Sequence, residues 1–435
     1  MKKIEECMSQ ACKAVLSRLE KAGLEAYITG KTVRDLLLYG KCYAHLILTN
    51  GTPEQIGRLF GRCIASGHGA VTVIENKTAF EMLPFRRLLN QEENRQRWDF
   101  TVNAIGYSLS YGWLDPFGGL EDLKNGIVRS TGRDGVSFEE NPIRMLRAVS
   151  LAAEMDFAIE ERTAQMIKEN AQRIKKADKK AVFEECHKIL MSKKPQNFRL
   201  LHEYGLLEYI MPSLEICFST PQKNKYHIFN VGEHIMNAVG HTGADPVIRW
   251  AVLFHDIGKP RCMSKDASGI IHFYGHHKES VAAVEEIFRT YRYFGEWEAD
   301  ILALVEYHDV RIDTSVHAVK KMMSRMGEQL FLKLLEVQEA DNRAKNPKYI
   351  EERLARIRSA REIFERIKAE GQPYRISDLA VSGRDLIKLK YHSGRQINDT
   401  LRRLLDEVMI DPALNQREYL LRRARELRVR GINAD

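Results

Sequence analysis

Apolar residues near the N-terminus fall on a helical repeat: Ala14, Val15, Leu16, Leu19 and Leu24 predict a helix within roughly the first 25 residues. Short β-type runs follow. They are Ala26-Tyr27-Ile28-Thr29, His45-Leu46-Ile47-Leu48, Ala70-Val71-Thr72-Val73-Ile74 and Ala79-Phe80-Glu81-Met82-Leu83, separated by Gly, Asn and Pro. Between the first two, Thr32-Val33-Arg34-Asp35-Leu36-Leu37-Leu38 predicts a helix. From about residue 138 the strand signal fades and stretches such as 141–151 and 160–175 take a helical period. Breaks fall at Met211-Pro212-Ser213, Ser219-Thr220-Pro221, Asn346-Pro347 and Gly371-Gln372-Pro373. The expectation is an α+β chain: an α/β head with a small mixed sheet, then an all-helical remainder.

Length and composition narrow this picture. A chain of 435 residues exceeds one ordinary core and predicts two to four domains. No apolar run reaches the ~18 residues needed to span a membrane, and the N-terminal helix lacks the apolar stretch of a secretion leader. Seven scattered cysteines with no CxxC pair predict a reducing, cytoplasmic setting without disulfides or a zinc knuckle. A net charge of +8 favours a polyanionic partner, because neutralising phosphates releases counterions.

Four segments then stand out in order: Thr29-Gly30-Lys31-Thr32-Val33-Arg34-Asp35, Arg97-Trp98-Asp99-Phe100-Thr101-Val102-Asn103-Ala104, Asp115-Pro116-Phe117-Gly118-Gly119-Leu120-Glu121-Asp122-Leu123 and Glu140-Asn141-Pro142-Ile143-Arg144-Met145-Leu146-Arg147. With Ser377-Asp378-Leu379 through Gly383-Arg384-Asp385, they resemble the bacterial tRNA nucleotidyltransferase (CCA-adding) and poly(A) polymerase family. The resemblance implies a nucleotidyltransferase-like head over 1–137 and a helical neck over 138–215 that binds nucleotide or RNA. It also implies a helical domain over 216–345 and a tRNA-binding body and tail over 346–435. It assigns nucleotide or RNA contacts to Gly30, Arg34, Asp35, Asp99, Asn103, Arg144 and Arg147, and implies a tRNA or other RNA 3′ end as partner, with ATP or CTP.

Nucleotidyl transfer of this kind uses two divalent ions, and magnesium takes oxygen ligands. The family supplies them from a DxD pair on the strand after the first motif. In register, those positions here are Ala44 and Leu46, with Glu81 retained as a third carboxylate. Neither Ala44 nor Leu46 offers a ligand atom. Lys31 replaces the family's second glycine, Trp98 an arginine, and Asn141 the base-reading aspartate. The expectation is a transfer site that has lost its chemistry.

A second constellation lies mid-chain: Glu233-His234, Phe254-His255-Asp256-Ile257-Gly258-Lys259-Pro260, Gly275-His276-His277 and Tyr307-His308-Asp309. Mixed imidazole and carboxylate donors suit a divalent ion such as Mg, Mn, Ni or Co. The pattern resembles the HD phosphohydrolase superfamily, which implies that the helical domain over 216–345 is an HD metal-dependent phosphohydrolase domain, with metal ligation by His234, His255, Asp256 and Asp309 and with His255 and Asp256 at the centre of catalysis. Lys259, His276 and His277 are candidates to steady the ligands or the phosphate, either histidine of the pair being able to face inward. Such an ion would supply an activated water for attack on phosphorus.

Weaker signals are the Gly383 turn, read as helix capping, and Tyr226, His227 and Phe229, read as packing or base stacking. The expected function is tRNA 3′-end processing with phosphoester hydrolysis at the mid-chain site, on a 2′,3′-cyclic or 2′-phosphate. One alternative is a working CCA-adding or A-adding transferase. Another is a non-enzymatic RNA-binding regulator.

Overall fold

The computed structural model describes residues 4–42, 45–61, 63–66, 70–85, 98–132, 136–222 and 226–432. The chain divides into two compact units, Met1–Ile210 and Met211–Asp435.

In the first unit, helix α1 (Gln10–Lys21) starts where the Ser9 side chain accepts the Cys12 N–H, so the predicted N-terminal helix is interrupted there. Val15, Leu16 and Leu19 point into the core. Then come β1 (Ala26–Thr29), α2 (Lys31–Tyr39), β2 (Leu46–Thr49), α3 (Pro53–Phe60), β3 (Cys63–Ser66), β4 (Ala70–Glu75), β5 (Thr78–Pro84), β6 (Gly106–Ser108) and β7 (Gly112–Leu114). They form one seven-stranded sheet in the order β3-β4-β5-β2-β1-β6-β7. The β2–β5 pair is parallel and its neighbours are antiparallel, so the sheet is mixed as expected. Strands β3, β6 and β7 escaped the sequence reading: β6 and β7 have three residues each, and the four of β3 lack the apolar, β-branched run that marks β1 and β2.

The Asp115-Pro116-Phe117-Gly118-Gly119 segment is built for structure. The Asp115 carboxylate accepts the N–H groups of Gly119 (2.6 Å) and Leu120 (3.0 Å) at the start of α4 (Gly119–Asn125). A Cβ on Gly119 would sit 2.1 Å from the Thr101 carbonyl oxygen. We therefore expect Gly119→Ala to cost about 3 kcal/mol through overpacking. Urea unfolding followed by circular dichroism should show the first transition moving to lower denaturant. Helices α5 (Ile143–Met155), α6 (Glu161–Asn170) and α7 (Lys179–Met191) complete the unit. The Ser150 hydroxyl on α5 donates to Glu185 on α7.

The second unit holds α8 (Val231–Gly240), α9 (Pro246–Phe254), α10 (His276–Tyr291), α11 (Trp297–Tyr307), α12 (Val316–Met326), α13 (Glu328–Arg343), α14 (Glu351–Ala369), α15 (Gly394–Ile410) and α16 (Arg417–Ile432). Every residue of α9 from Val247 to Phe254 is buried, so this helix is the central post of the unit. Trp250, Phe254, Phe288 and Phe294 pack around it, with the Phe288 and Phe294 rings 4.4 Å apart. Gly258, just beyond α9, lets α10 approach: an added Cβ would meet Ser280 N at 2.2 Å, and Gly258 N donates to Ser280 Oγ.

The remainder is not wholly helical. Ile127–Val128 pairs with Ala158–Ile159, and Ser264–Lys265 with Ile271–His272. Two-residue strands carry no periodicity to read. Gly383 opens a short helix whose N-cap, Ser382, donates its N–H to Asp385, the capping role the sequence predicts.

Candidate metal centre and head pocket

The His-Asp pair sits where α9 ends. His255 and Asp256 follow its last turn and are fully buried. His234 projects from α8, Asp341 from α13, His276 from the first turn of α10, and His308 from the end of α11. Two groups result, each with ligand atoms within 4.8 Å of one another: His234, His255, Asp256 and Asp341, and then Asp256, His276 and His308. Asp256 belongs to both. Its Oδ2 faces His234 Nε2 (3.5 Å) and His255 Nε2 (3.2 Å), while its Oδ1 faces His276 Nε2 (3.3 Å) and His308 Nε2 (3.6 Å). Asp341 Oδ1 lies 3.0 Å from His234 Nε2 and 3.6 Å from His255 Nε2.

The imidazoles are held in the ligating orientation. Nδ1 of His255 meets the Val252 carbonyl at 2.7 Å, Nδ1 of His308 the Val305 carbonyl at 2.7 Å, and Nδ1 of His276 the Phe273 carbonyl at 3.0 Å. His234 Nδ1 lies 3.4 Å from the Ala344 carbonyl. A carbonyl only accepts, so Nδ1 carries a proton and Nε2 turns inward. The Nε2 atoms of His276 and His308 face each other at 3.1 Å, and those of His234 and His255 at 3.4 Å. Two such nitrogens face to face need a proton or a metal cation between them. Asp256 Oδ2 is also buried without a hydrogen bond of ordinary geometry, although Lys259 Nζ is 2.6 Å away. The donors present therefore fit divalent ions.

The electrostatics agree. Burial alone would raise the Asp256 carboxyl, but His255 and Lys259 hold it well below the usual carboxylate range. Lys345, 2.5 Å from Asp341, does the same there against burial. Burial pushes His234 down despite Asp341, and pushes His276 down to about 4 against the pull of Asp256. At His255 burial also opposes charge, but Asp256 and Asp341 outweigh it and raise the group to about 9. Both acids are thus ionised at neutral pH, and two imidazoles are held neutral.

One residue of the sequence-derived set is corrected. Asp309 is exposed and outside both groups; the acid that closes the first is Asp341. The helical repeat Ile301, Leu304, Val305, His308 carries His308 inward, while Asp309 lies in the lining of the cavity beside the cluster and in neither ligand group. His276 is the inward member of its pair; His277 is half-buried, its ring 6.1 Å from that of His276. Lys259 is buried and bound to Asp256 and to Gln222 Oε1 (2.8 Å). Sequence reasoning missed Asp341 and Lys345. Their signal was an acid on α13 at core spacing with Leu334 and Gln338, and a base four residues on, just past the end of the helix.

In the head, one network joins the first, second and fourth motifs. Arg34 donates to Asp35 (3.0 and 3.1 Å) and to Asn103 Oδ1 (2.8 Å). Asn103 donates to Asp99 Oδ1 (2.9 Å), and Arg147 donates to Asp99 Oδ2 (3.0 Å). Gly30, Lys31, Arg34, Asp99, Asn103, Asn141, Arg144 and Arg147 line one pocket, with Leu46, Leu83 and Trp98 as its apolar wall. Asp35 is buried behind Arg34 rather than in the lining. Gly30, at φ +64°, faces the Leu46 side chain: a Cβ there would be 3.4 Å from Leu46 Cδ2. Leu46 pairs in register with exposed Glu81 on β5. Ala44 lies outside the described residues. Among the described residues, both groups of donors close enough to hold an ion lie in the second unit.

A mixed-sheet head carrying this motif network defines a nucleotidyltransferase-type chain. A model described as the poly A polymerase head domain matches residues 26–129. A "Probable RNA and SrmB-binding site of polymerase A" matches 156–217, and a tRNA nucleotidyltransferase domain 2 model matches 264–424. The chain belongs to the tRNA nucleotidyltransferase and poly(A) polymerase family. It is 38% identical over 192 residues to a CCA-adding enzyme of Lactobacillus helveticus, covering 40% of this chain and 48% of that one. It is 33% identical over 241 residues to poly(A) polymerase I of Escherichia coli, covering 49% and 52%. The chain thus spans about half the length of the curated relatives it matches. The fold is similar to a Bacillus stearothermophilus CCA-adding enzyme in complex with CTP, with a TM-score of 0.70 at 24% identity over 98% of this chain and 100% of that one. It is also similar to a Thermotoga maritima CCA-adding enzyme complexed with tRNA, with a TM-score of 0.62 at 18% identity over 97% and 96%. These relatives speak for nucleotide transfer rather than hydrolysis, and back the working-transferase alternative better than the hydrolase reading. Among the described residues, no helix is long and apolar enough to cross a membrane.

Proposed function

We propose that this member of a nucleotide-adding family hydrolyses phosphoesters at the 3′ end of tRNA or a similar RNA, using the cluster in its second unit. The observation that carries the reading is Asp256, one buried carboxylate shared by two convergent ligand groups. The first position would use His234, His255, Asp256 and Asp341, and the second Asp256, His276 and His308. Divalent ions held there supply Lewis acidity and a hydroxide at neutral pH. The hydrolysed bond is P–O: a water oxygen bonds to phosphorus, and the ester oxygen leaves with a proton. Lys259 and Lys345 place positive charge beside the two acids and balance an incoming phosphate. The head pocket, with Arg34, Asn103, Arg144 and Arg147, takes nucleotide or RNA without transferring it, and residues 346–435 contribute further tRNA contacts. The setting is the cytoplasm.

The test is metal analysis of the purified chain, then hydrolysis of adenosine 2′,3′-cyclic phosphate with added Mn. No bound metal and no hydrolysis would remove the reading. Chelation gives a second check. Stripping the ions leaves inward lone pairs and buried acids without their partner, so the thermal midpoint should fall by several degrees and recover on adding metal. A midpoint indifferent to chelator speaks against a resident ion.

Nucleotidyl transfer is the second reading, favoured by the curated relatives above, which are named CCA-adding enzyme and poly(A) polymerase I.

A further inference from the structure

We infer that the mouth of the metal pocket is a nucleobase platform: the stacked His272 and Tyr274 rings receive the base of the nucleotide whose phosphate lies at the cluster. This rests on the hydrolase reading above and names its substrate class.

Tyr274 is 77% exposed, the highest value among the exposed large hydrophobic side chains of the described residues. Its ring stacks on that of His272, 5.2 Å away at 7°, so the pair offers an outer aromatic face backed by a second ring. That surface is held in place. His272 Nε2 binds Asp266 Oδ2 at 2.8 Å, and Asp266 Oδ1 accepts the N–H groups of Ser268 and Ile270. The short Ser264–Lys265 and Ile271–His272 ribbon fixes the backbone on either side. A tyrosine ordered this way without an apolar cover is not there for packing.

Position links the platform to the chemistry. Tyr274 precedes the ligand His276 by two residues. Both line a cavity of about 380 Å³ that also reaches Asp256, Lys259, Lys345 and Arg353. Its volume suits a mononucleotide. With Asp256 and Asp341 engaged by ions, Lys259, Lys345 and Arg353 outnumber the one remaining acid, Asp309, which suits phosphate, and the aromatic face beside them suits a base. Across the cavity, the Arg353 guanidinium lies 5.1 Å over the Tyr226 ring, a second aromatic wall. A phosphosugar or phosphoprotein would use the cations and leave the ring pair idle.

The test uses the metal-loaded full chain and two esters that share their reacting group. Adenosine 2′,3′-cyclic phosphate carries a base, and glycerol 1,2-cyclic phosphate does not. In Tyr274→Ala, the KM for the adenosine ester should rise about tenfold. Its kcat, and hydrolysis of the glycerol ester, should stay unchanged. Tyr274→Trp should restore the wild-type KM. Equal losses on both esters, or no loss on either, overturn the platform. If wild type hydrolyses neither ester, the hydrolase reading falls. Calorimetric binding of adenosine 2′-monophosphate then decides the platform alone. Weaker binding in Tyr274→Ala supports it; unchanged binding, or none in wild type, overturns it.

Discussion

Asp256→Asn should lose both metal positions and slow cyclic-phosphate hydrolysis by at least about a thousandfold, near 4 kcal/mol of barrier. The reason is geometric. Asp256 is the only residue common to both ligand groups, with Oδ2 serving one and Oδ1 the other. Asparagine keeps the shape but presents an N–H₂ on one side, so one group loses its oxygen and both lose the charge. Metal content by mass spectrometry should fall together with activity, while circular dichroism stays native. Glu306→Gln is the control: that carboxylate is exposed, outside both groups and outside the cavity lining, so activity should hold within about twofold. An Asp256→Asn protein that kept its metal and its rate would end the two-position account.

The second large effect concerns the head. Given tRNA lacking its CCA end, labelled CTP and ATP, and magnesium, the wild-type chain should add nucleotides at least about ten thousand times more slowly than an ordinary enzyme turning over near 10 per second. Leu46 stands in van der Waals reach of Gly30 and opposite Glu81, so alkyl fills the space where a hard ion needs oxygen. Lys31 lines the same pocket and adds charge without adding a ligand. Incorporation at ordinary rates would instead establish the transferase reading that the matched relatives favour, with ion binding arranged from other carboxylates.

How legible was this in the sequence? The long elements were, because five or more residues show a period: α2, β4 and β5 emerged from apolar spacing alone. Strands of two or three residues did not, since nothing repeats within them. At the metal centre, His255 and Asp256 were legible as adjacent donors at the end of a helix whose residues are apolar except for Arg249. Asp341 was not: it meets His234 across 107 residues of chain, and no local spacing records that contact. The choice between His308 and Asp309 was recoverable from helix phase, as was that between His276 and His277. Ser280, Ala283, Val284 and Ile287 share the buried face of α10 with His276. Adjacent polar pairs need that phase before either member is assigned a ligand role.

Three of the four histidine rings hang from a carbonyl three residues earlier in their own chain, at Val252, Phe273 and Val305. Each ring is therefore aimed by its local backbone before any ion arrives. The bite of the site is then set by how far apart the helices stand, and not by swivelling of the ligands. An ion of unsuitable radius cannot recruit the rings to its own preferred shell, so helix spacing in this unit acts as the gauge of cation size.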